Sequence, residues 1–508
     1  MLSILANTTN SHCNAFQAVQ GFFLESANTP EKVIKVLAHG GWSVSVSSVV
    51  MMVRSLTTER QKLIRELSKD GLCALAYDNL DFDFKTKEAT LEKPGTFESI
   101  TTGTFIPLGH GTTLDDLRFS DELWKKSPLN PQGTKDVSPS QVPSHRYILK
   151  RVGESIPHLE RAMQWYIRSV IAEYLPPSYK DLLGPMPSSN WIGVEKSTQE
   201  PARAMHIKAS SNDGNIEIVE NLERQLGTKS EWYDSYVRLC HGDLGTQERH
   251  DSTTFFRAIE HSSQNRLQWL VTVPGVFHIR MAAVDAIWRA HISGHALRSN
   301  EGGTYQLFQT LRPRDFGKLN SNPSYRMLND GITHLVKAHV TVCWEQTVGY
   351  NLDEFAKTEP TWDTIDDLGH QIFNEHFAGK DFNDLRDLPD SDRDRKRENQ
   401  MLFNRDGLLY VLLVLASNTG AVGLMKDLLW AWVPMFRACG KHKYAIHLSK
   451  FLRDLRDMYP SRLGRTIEMH WLCNPSGTPE GFRGVDWWVE LNNLYTKVRQ
   501  SRDPTRIN

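Results

Sequence analysis

Apolar and polar positions repeat with two different periods along this chain, and the period changes several times. From residue 15 to 70 the spacing is helical. "TPEKVIKVLAHGG" carries a Thr-Pro start, apolar residues three to four apart and a glycine stop, and "VSSVVMMVRSLTTERQKLIREL" continues in the same style. Near Leu72 the period falls to two. "CALAYDNLDFDF" and "TFESITTGTFIPL" (Thr96 to Leu108) predict two strands, rich in Thr, Phe, Ile and Leu. Residues 109 to 145 are dense in Gly, Pro, Ser and charge and predict a long loop. From Pro157, "PHLERAMQWYIRSVIAEYL" predicts an amphipathic helix with Leu159, Met163, Tyr166, Val170 and Tyr174 on one face.

Strand and helix then alternate. "YVRLCHGDLGT" (Tyr236 to Thr246) predicts a strand ending at a glycine turn, and "TTFFRAIEHSS" a helix. "RLQWLVTVPGVFHIRMAAVDAIWRAHI" predicts a strand, a break at Pro274-Gly275 and a long helix. This order predicts an α/β layer built on a mixed sheet. From about 295 to 470 the strand period nearly vanishes and helical spacing dominates. One stretch, "KDFNDLRDLPDSDRDRKREN" (Lys380 to Asn399), predicts a solvated mixed-charge linker. The chain closes on a Gly/Pro loop and a helix beginning near Asp486. The predicted organisation is a helical N-terminal segment (1–70), the first part of an α/β core (71–294), a mainly helical insertion (295–470) and a C-terminal loop and helix completing the core (471–508).

Composition narrows the function classes. The 508 residues are 40% hydrophobic and 23% charged, ordinary values for a globular protein. With 59 basic and 60 acidic residues the net charge is −1. Nucleic-acid binding would therefore need a local basic patch, for which "KHKYAIHLSKFLRDLRDMYPSRLGR" is the basic candidate segment. The six cysteines are scattered, with no CxxC pair, which argues against a zinc knuckle or a disulfide scaffold and for a reducing compartment. "MLSILANTTNSH" is a poor secretory signal, and the apolar run "LLYVLLVLA" is about half of the roughly 20 residues a spanning helix needs. The expected setting is intracellular, with no membrane partner and no small-molecule cofactor.

The candidate chemistry lies in carboxylates. Asp78 stands near the end of an apolar strand, and Asp243 follows another in "HGDLGTQER". Glu490 lies on the first turns of the last helix, in "DWWVELNN", three positions before Asn493 and on the same face. Each acid alone has an ordinary explanation as a turn former, helix cap or dipole partner. Together they form an oxygen-only set suited to a hard divalent cation such as Mg²⁺ or Mn²⁺. Two such ions roughly 4 Å apart would serve phosphodiester chemistry. Asp486 and Glu468 are rivals for the third acid. Asp81 and Asp83 are either reserve ligands or a polar strand face. His278 is placed at the mouth of a helix following a strand, where an imidazole binds phosphate or moves a proton, or simply packs.

Read in chain order, "TPEKVIKVLAHGGWSVSVSSV", "AYDNLDF", "HGDLGTQER", "WLVTVPGVFHIRMAAVDAIW", "NPSG" and "DWWVELNN" resemble the fungal domain of unknown function 6589 family, which has no established activity. More loosely, the chain resembles ribonuclease H-like transposases of the DDE type. Those place an acid on the first strand, another after the fourth and a third on a late helix, several with a large helical insertion before the last. The resemblance implies an α/β ribonuclease H-like mixed sheet with a large helical insertion. It puts Asp78, Asp243 and Glu490 in the three metal-binding roles, with Mg²⁺ or Mn²⁺ as cofactor, DNA as partner and the nucleus as location. Asp78 to Asp243 spans 165 positions and Asp243 to Glu490 spans 247, the second gap mostly helical. The near-neutral charge and the lack of a clear DNA-binding finger depart from that pattern. The alternative is a catalytically inactive, domesticated protein acting as an interaction or nucleic-acid-binding module.

Overall fold

The computed structural model describes residues 2–10, 12–27, 29–84, 96–133, 142–292, 294, 303–314, 316–319, 323–377 and 380–500. It is a mostly helical mixed α/β chain that divides into two compact units. The first comprises Met1–Asp121, Thr198–Thr272 and Asp486–Asn508, and the second Glu122–Ser197 and Val273–Val485.

The first unit opens with the expected helices Ala15–Ser26, Glu31–His39 and Val46–Lys69, with Leu2–Thr9 before them. A five-stranded sheet follows, made of β1 (Cys73–Phe84), β2 (Thr96–Pro107), β3 (Glu200–Pro201), β4 (Arg238–Gly242) and β5 (Leu270–Pro274). Their spatial order is β3-β2-β1-β4-β5. β2 runs antiparallel to both β1 and β3, while β4 runs parallel to β1. The sheet is therefore mixed, as the order of predicted elements implied.

Period-two alternation sorts β1 into two faces, and its ladder with β2 runs without a bulge from Cys73 to Phe84. Cys73, Leu75 and Tyr77 join Phe105 and Cys240 in a core roofed by Ile218, Val219, Leu222 and Leu226 of the helix Asn212–Leu226. Ala74, Ala76, Asp78 and Leu80 belong to the other face, where the two alanines and Leu80 are buried. Gly103, opposite Tyr77 in the register, lets Leu222 approach: a Cβ there would sit 3.0 Å from Leu222 Cδ2.

Among its described residues the second unit has no strands beyond a two-stranded ladder, β6 (Leu472–Cys473) with β7 (Arg483–Gly484), and the last residues of β5. The run "LLYVLLVLA" is the buried middle of the helix Arg395–Thr419. Among the described residues no helix is long and apolar enough to cross a membrane.

Three local expectations need correction. The stretch read as a loop from 109 to 145 contains a 3₁₀ turn at Leu114–Leu117, closed by a Thr113–Asp116 capping box, and a helix at Ser120–Lys126. Residues 134–141 lie outside the described part. The helix placed from Pro157 begins at His145, where Ser144 Oγ accepts from Tyr147 N, and Pro157 sits inside it. Proline is common in a first helical turn, so its position misled the boundary. Tyr174 lies past the helix end and is 39% exposed. Finally, the mixed-charge stretch at 380–399 carries the helix Lys380–Asp387 and the cap of the next one, where Asp394 Oδ1 accepts from Lys396 N and Arg397 N. Most of its described side chains are exposed, as expected, while Glu398 is buried against Arg393 at 2.5 Å and Arg386 at 3.2 Å.

Candidate functional site

Two of the candidate acids belong to adjacent strands of the sheet, Asp78 within β1 and Asp243 just after β4. The parallel ladder pairs Leu75 with Cys240 and Ala76 with His241. Continued two residues past its last pair, the same register would set Asp243, just beyond the end of β4, level with Asp78 on one face. Asp78 itself lies midway along β1 and not near a strand end as its apolar lead-in suggested, because β1 continues to Phe84. Asp243 is still extended, with φ −72° and ψ −176°, and both side chains are partly exposed. Sequence separation of 165 positions is thus closed by a single strand pairing.

Each carboxylate also has a structural task. Asp243 is the N-cap of the helix Leu244–Arg257, its Oδ1 accepting from Thr246 N at 2.8 Å. The abrupt passage from strand to helix requires Gly242. A Cβ there would stand 2.5 Å from Thr246 Cγ2 and 2.6 Å from Thr246 Cβ. Gly242→Ala is therefore expected to cost about 1–3 kcal/mol by overpacking, read as a lowered melting temperature. An unchanged one would show that the helix start can shift freely. Asp78 Oδ1 accepts from the neighbouring Asn79 N at 2.7 Å.

The late helix, Val485–Gln500, reaches this place through a residue the sequence reading left without a role. Asn493 is 1% exposed. Its Nδ2 donates to Asp78 Oδ2 and to Asn79 O, both at 3.3 Å, and its Oδ1 accepts from Thr102 Oγ1 at 2.5 Å. Thr102 is the register partner of Asp78 on β2. Glu490, partly exposed, stands one turn earlier, about 4.5 Å along the helix axis. The signal that could have found Asn493 was its shared helix face with Glu490.

The other candidates fall elsewhere. Asp81 is exposed and, by strand alternation, lies on the face opposite to Asp78. It is a polar strand position and not a reserve ligand beside Asp78. The side chain of Asp83 lies outside the described residues. Asp486 is 5% exposed and lies within the first turn of its helix. Glu468 belongs to the second unit, where Lys426 pairs with it and Asn190 Nδ2 donates to its Oε2 at 2.8 Å. His278 also belongs to the second unit, in the first turn of the helix Val276–His291. Its ring is edge-on to Phe277 at 5.5 Å.

Directly behind Asp78, on the core face, lies a buried polar chain that the sequence reading also missed. Tyr77 OH donates to Asn215 Oδ1 at 2.7 Å and meets His250 Nε2 at 2.7 Å, and His250 Nδ1 meets Thr272 Oγ1 at 3.0 Å. Burial, with the nearby Cys240 and Asp243, holds the Tyr77 hydroxyl well above its usual range, so it stays protonated.

Carboxylate oxygens such as those of Asp78 and Asp243 are the donor type that Mg²⁺ or Mn²⁺ takes. Among the described residues, no group of three or more His, Cys, Asp or Glu is gathered closely enough to hold a metal. Glu490 thus brings no ready-made third carboxylate to the two aspartates.

Comparison with known proteins adds the following. Among solved structures, the chain is similar to the Drosophila P element transposase strand transfer complex, with 9% identity and a TM-score of 0.26, over 90% of this chain and 96% of that one. So loose a superposition carries no argument about fold or chemistry. No curated protein matches the chain. A family model matches residues 140–506, a span that includes Asp243, His278 and Glu490 and begins after Asp78. Over that span, most of its length, the chain belongs to the family of unknown function DUF6589.

Proposed function

We propose that the sheet is the core of a ribonuclease H-like fold, and that Asp78, Asp243 and Glu490 serve Mg²⁺- or Mn²⁺-dependent cleavage and strand transfer of DNA. The observation that supports this reading is the parallel β1–β4 register, whose continuation would set Asp243 level with Asp78 within the order β3-β2-β1-β4-β5. In this reading residues 71–294 and 471–508 supply the core, 295–470 is a helical insertion and 1–70 a helical leader. Bound at the aspartates, the metal pair would activate the attacking oxygen and stabilise the leaving one. The carboxylates would hold and orient it, with Glu490 supplied by the late helix. A DNA substrate would place the protein in the nucleus.

A second reading has its own observation. Asp243 caps a helix and Asp78 closes on its neighbour's N–H, so both acids are explained without a metal in a non-catalytic interaction module. Asp243→Asn separates the two, because asparagine caps as well as aspartate but lacks the charge. The expected result is nicking of supercoiled DNA by the full chain in Mg²⁺ or Mn²⁺, falling to background in Asp243→Asn at an unchanged melting temperature. Equal nicking by both proteins, or none by either, overturns the catalytic reading.

A further inference from the structure

We infer that Asn493 is the positioning residue of the Asp78 carboxylate, setting its orientation for a divalent cation and tying the late helix to the β1–β2 rung that carries it. The inference rests on the metal-site reading above and deepens it.

The Asn493 side chain is almost wholly buried, and both ends of its amide are used. One end accepts from Thr102 Oγ1 at 2.5 Å, and the other donates to Asp78 Oδ2 and Asn79 O at 3.3 Å. Two contacts fix which way the amide faces. A reversed amide would set its oxygen against the Asp78 carboxylate and the Asn79 carbonyl, all acceptors, whereas the Thr102 hydroxyl could serve either orientation. Thr102 thus acts through Asn493. Asp78 is then held at both oxygens, by Asn79 N on Oδ1 and by Asn493 on Oδ2, which restricts its rotation. Charge-assisted donation to a ligand carboxylate is the usual way an outer partner orients a metal ligand.

Because Thr102 and Asp78 face each other across the ladder, one amide also pins both strands to the helix bearing Glu490. The position of the third acid and the orientation of the first are therefore coupled through one side chain.

The test is calorimetric titration of Mn²⁺ into the full-length protein, with melting temperature measured alongside. Wild type is expected to bind and Asp78→Asn to lose binding. Asn493→Ala is expected to raise the Mn²⁺ Kd by about 10-fold or more. Thr102→Val should weaken binding in the same direction, Thr102→Ser should keep wild-type affinity, and the Asn493→Ala/Thr102→Val pair should be no weaker than Asn493→Ala alone. Glu223→Gln destabilises the same unit from a different place, and its folded protein should bind as wild type does, so lost stability alone does not mimic the effect. If wild type binds and Asp78→Asn does not, while Asn493→Ala and Thr102→Val bind normally, the positioning role is overturned and the site stands. If wild type itself takes up no Mn²⁺, the metal-site reading fails and this inference with it.

Discussion

Glu223→Gln is expected to destabilise the first unit by about 3–5 kcal/mol, the cost of leaving one charge of a buried pair uncompensated. Glu223 and Arg238 meet at 2.6 Å with side chains 4% and 1% exposed. Arg238 is anchored further by donating to Cys73 O at 3.0 Å and to Thr228 Oγ1 at 3.3 Å, and its guanidinium lies 4.3 Å from the Trp232 ring centre. Tyr233 OH donates to the other Glu223 oxygen at 3.1 Å. None of those neutral partners replaces the lost carboxylate charge. Arg238→Met should be comparably damaging, for the mirror-image reason. The double variant Glu223→Leu/Arg238→Met should recover most of the loss, since apolar side chains of similar volume often substitute for a buried ion pair at little cost. Urea unfolding followed by tryptophan fluorescence measures this, with Trp232 and Trp269 close to the pair in the same core. Single-variant losses below about 1 kcal/mol, or a double variant as weak as the sum of the singles, would contradict the burial of the pair.

The second large effect is a dependence on pH. His250 is fully enclosed by the core, and burial lowers its pKa to about 4 from the ordinary 6.5, partly opposed by Asp251. Tyr77 OH gives its proton to Asn215, so its oxygen accepts from His250 Nε2, and Nδ1 accepts from the Thr272 hydroxyl. The neutral ring is satisfied on both nitrogens, and a second ring proton would meet the Thr272 hydroxyl in place of a lone pair. As pH falls below 6.5, the unfolded chain takes up a proton that the folded one refuses. The stabilisation is complete above pH 6.5 and declines by about 1.4 kcal/mol per pH unit toward pH 4, a total of about 3 kcal/mol. His250→Gln should remove this slope whatever it does to stability at pH 7. Denaturation midpoints of both proteins from pH 7 to pH 4 provide the check. Parallel curves would exclude His250 as the source.

Much of the secondary structure was legible because it is written in contiguous residues. The alternation in "CALAYDNLDFDF" and "TFESITTGTFIPL" marks β1 and β2, and the Pro274-Gly275 break marks the passage from β5 to its helix. A two-residue strand such as Glu200–Pro201 has no period to read, so β3 was invisible. The charged stretch at 380–399 was misread because the sequence shows its charges but not that Arg386 and Arg393 close on Glu398.

The sequence by itself determined that Asp243 stands at a strand end, through the apolar run that precedes it, but not that β1 runs on past Asp78 to Phe84. The choice between reserve ligand and polar face for Asp81 was settled by the β1 ladder, which puts it on the face away from Asp78. Tertiary structure alone decided that the strand carrying Asp78 pairs with the strand that Asp243 follows, since a parallel pairing across 165 positions leaves no local trace in either segment. It also decided that Asn493 is the late-helix side chain hydrogen-bonded to Asp78. Helical spacing makes 490 and 493 share a face, but which of them meets the strand depends on how the helix is set against the sheet. Packing of the whole unit fixes that placement, and no periodicity within one element encodes it.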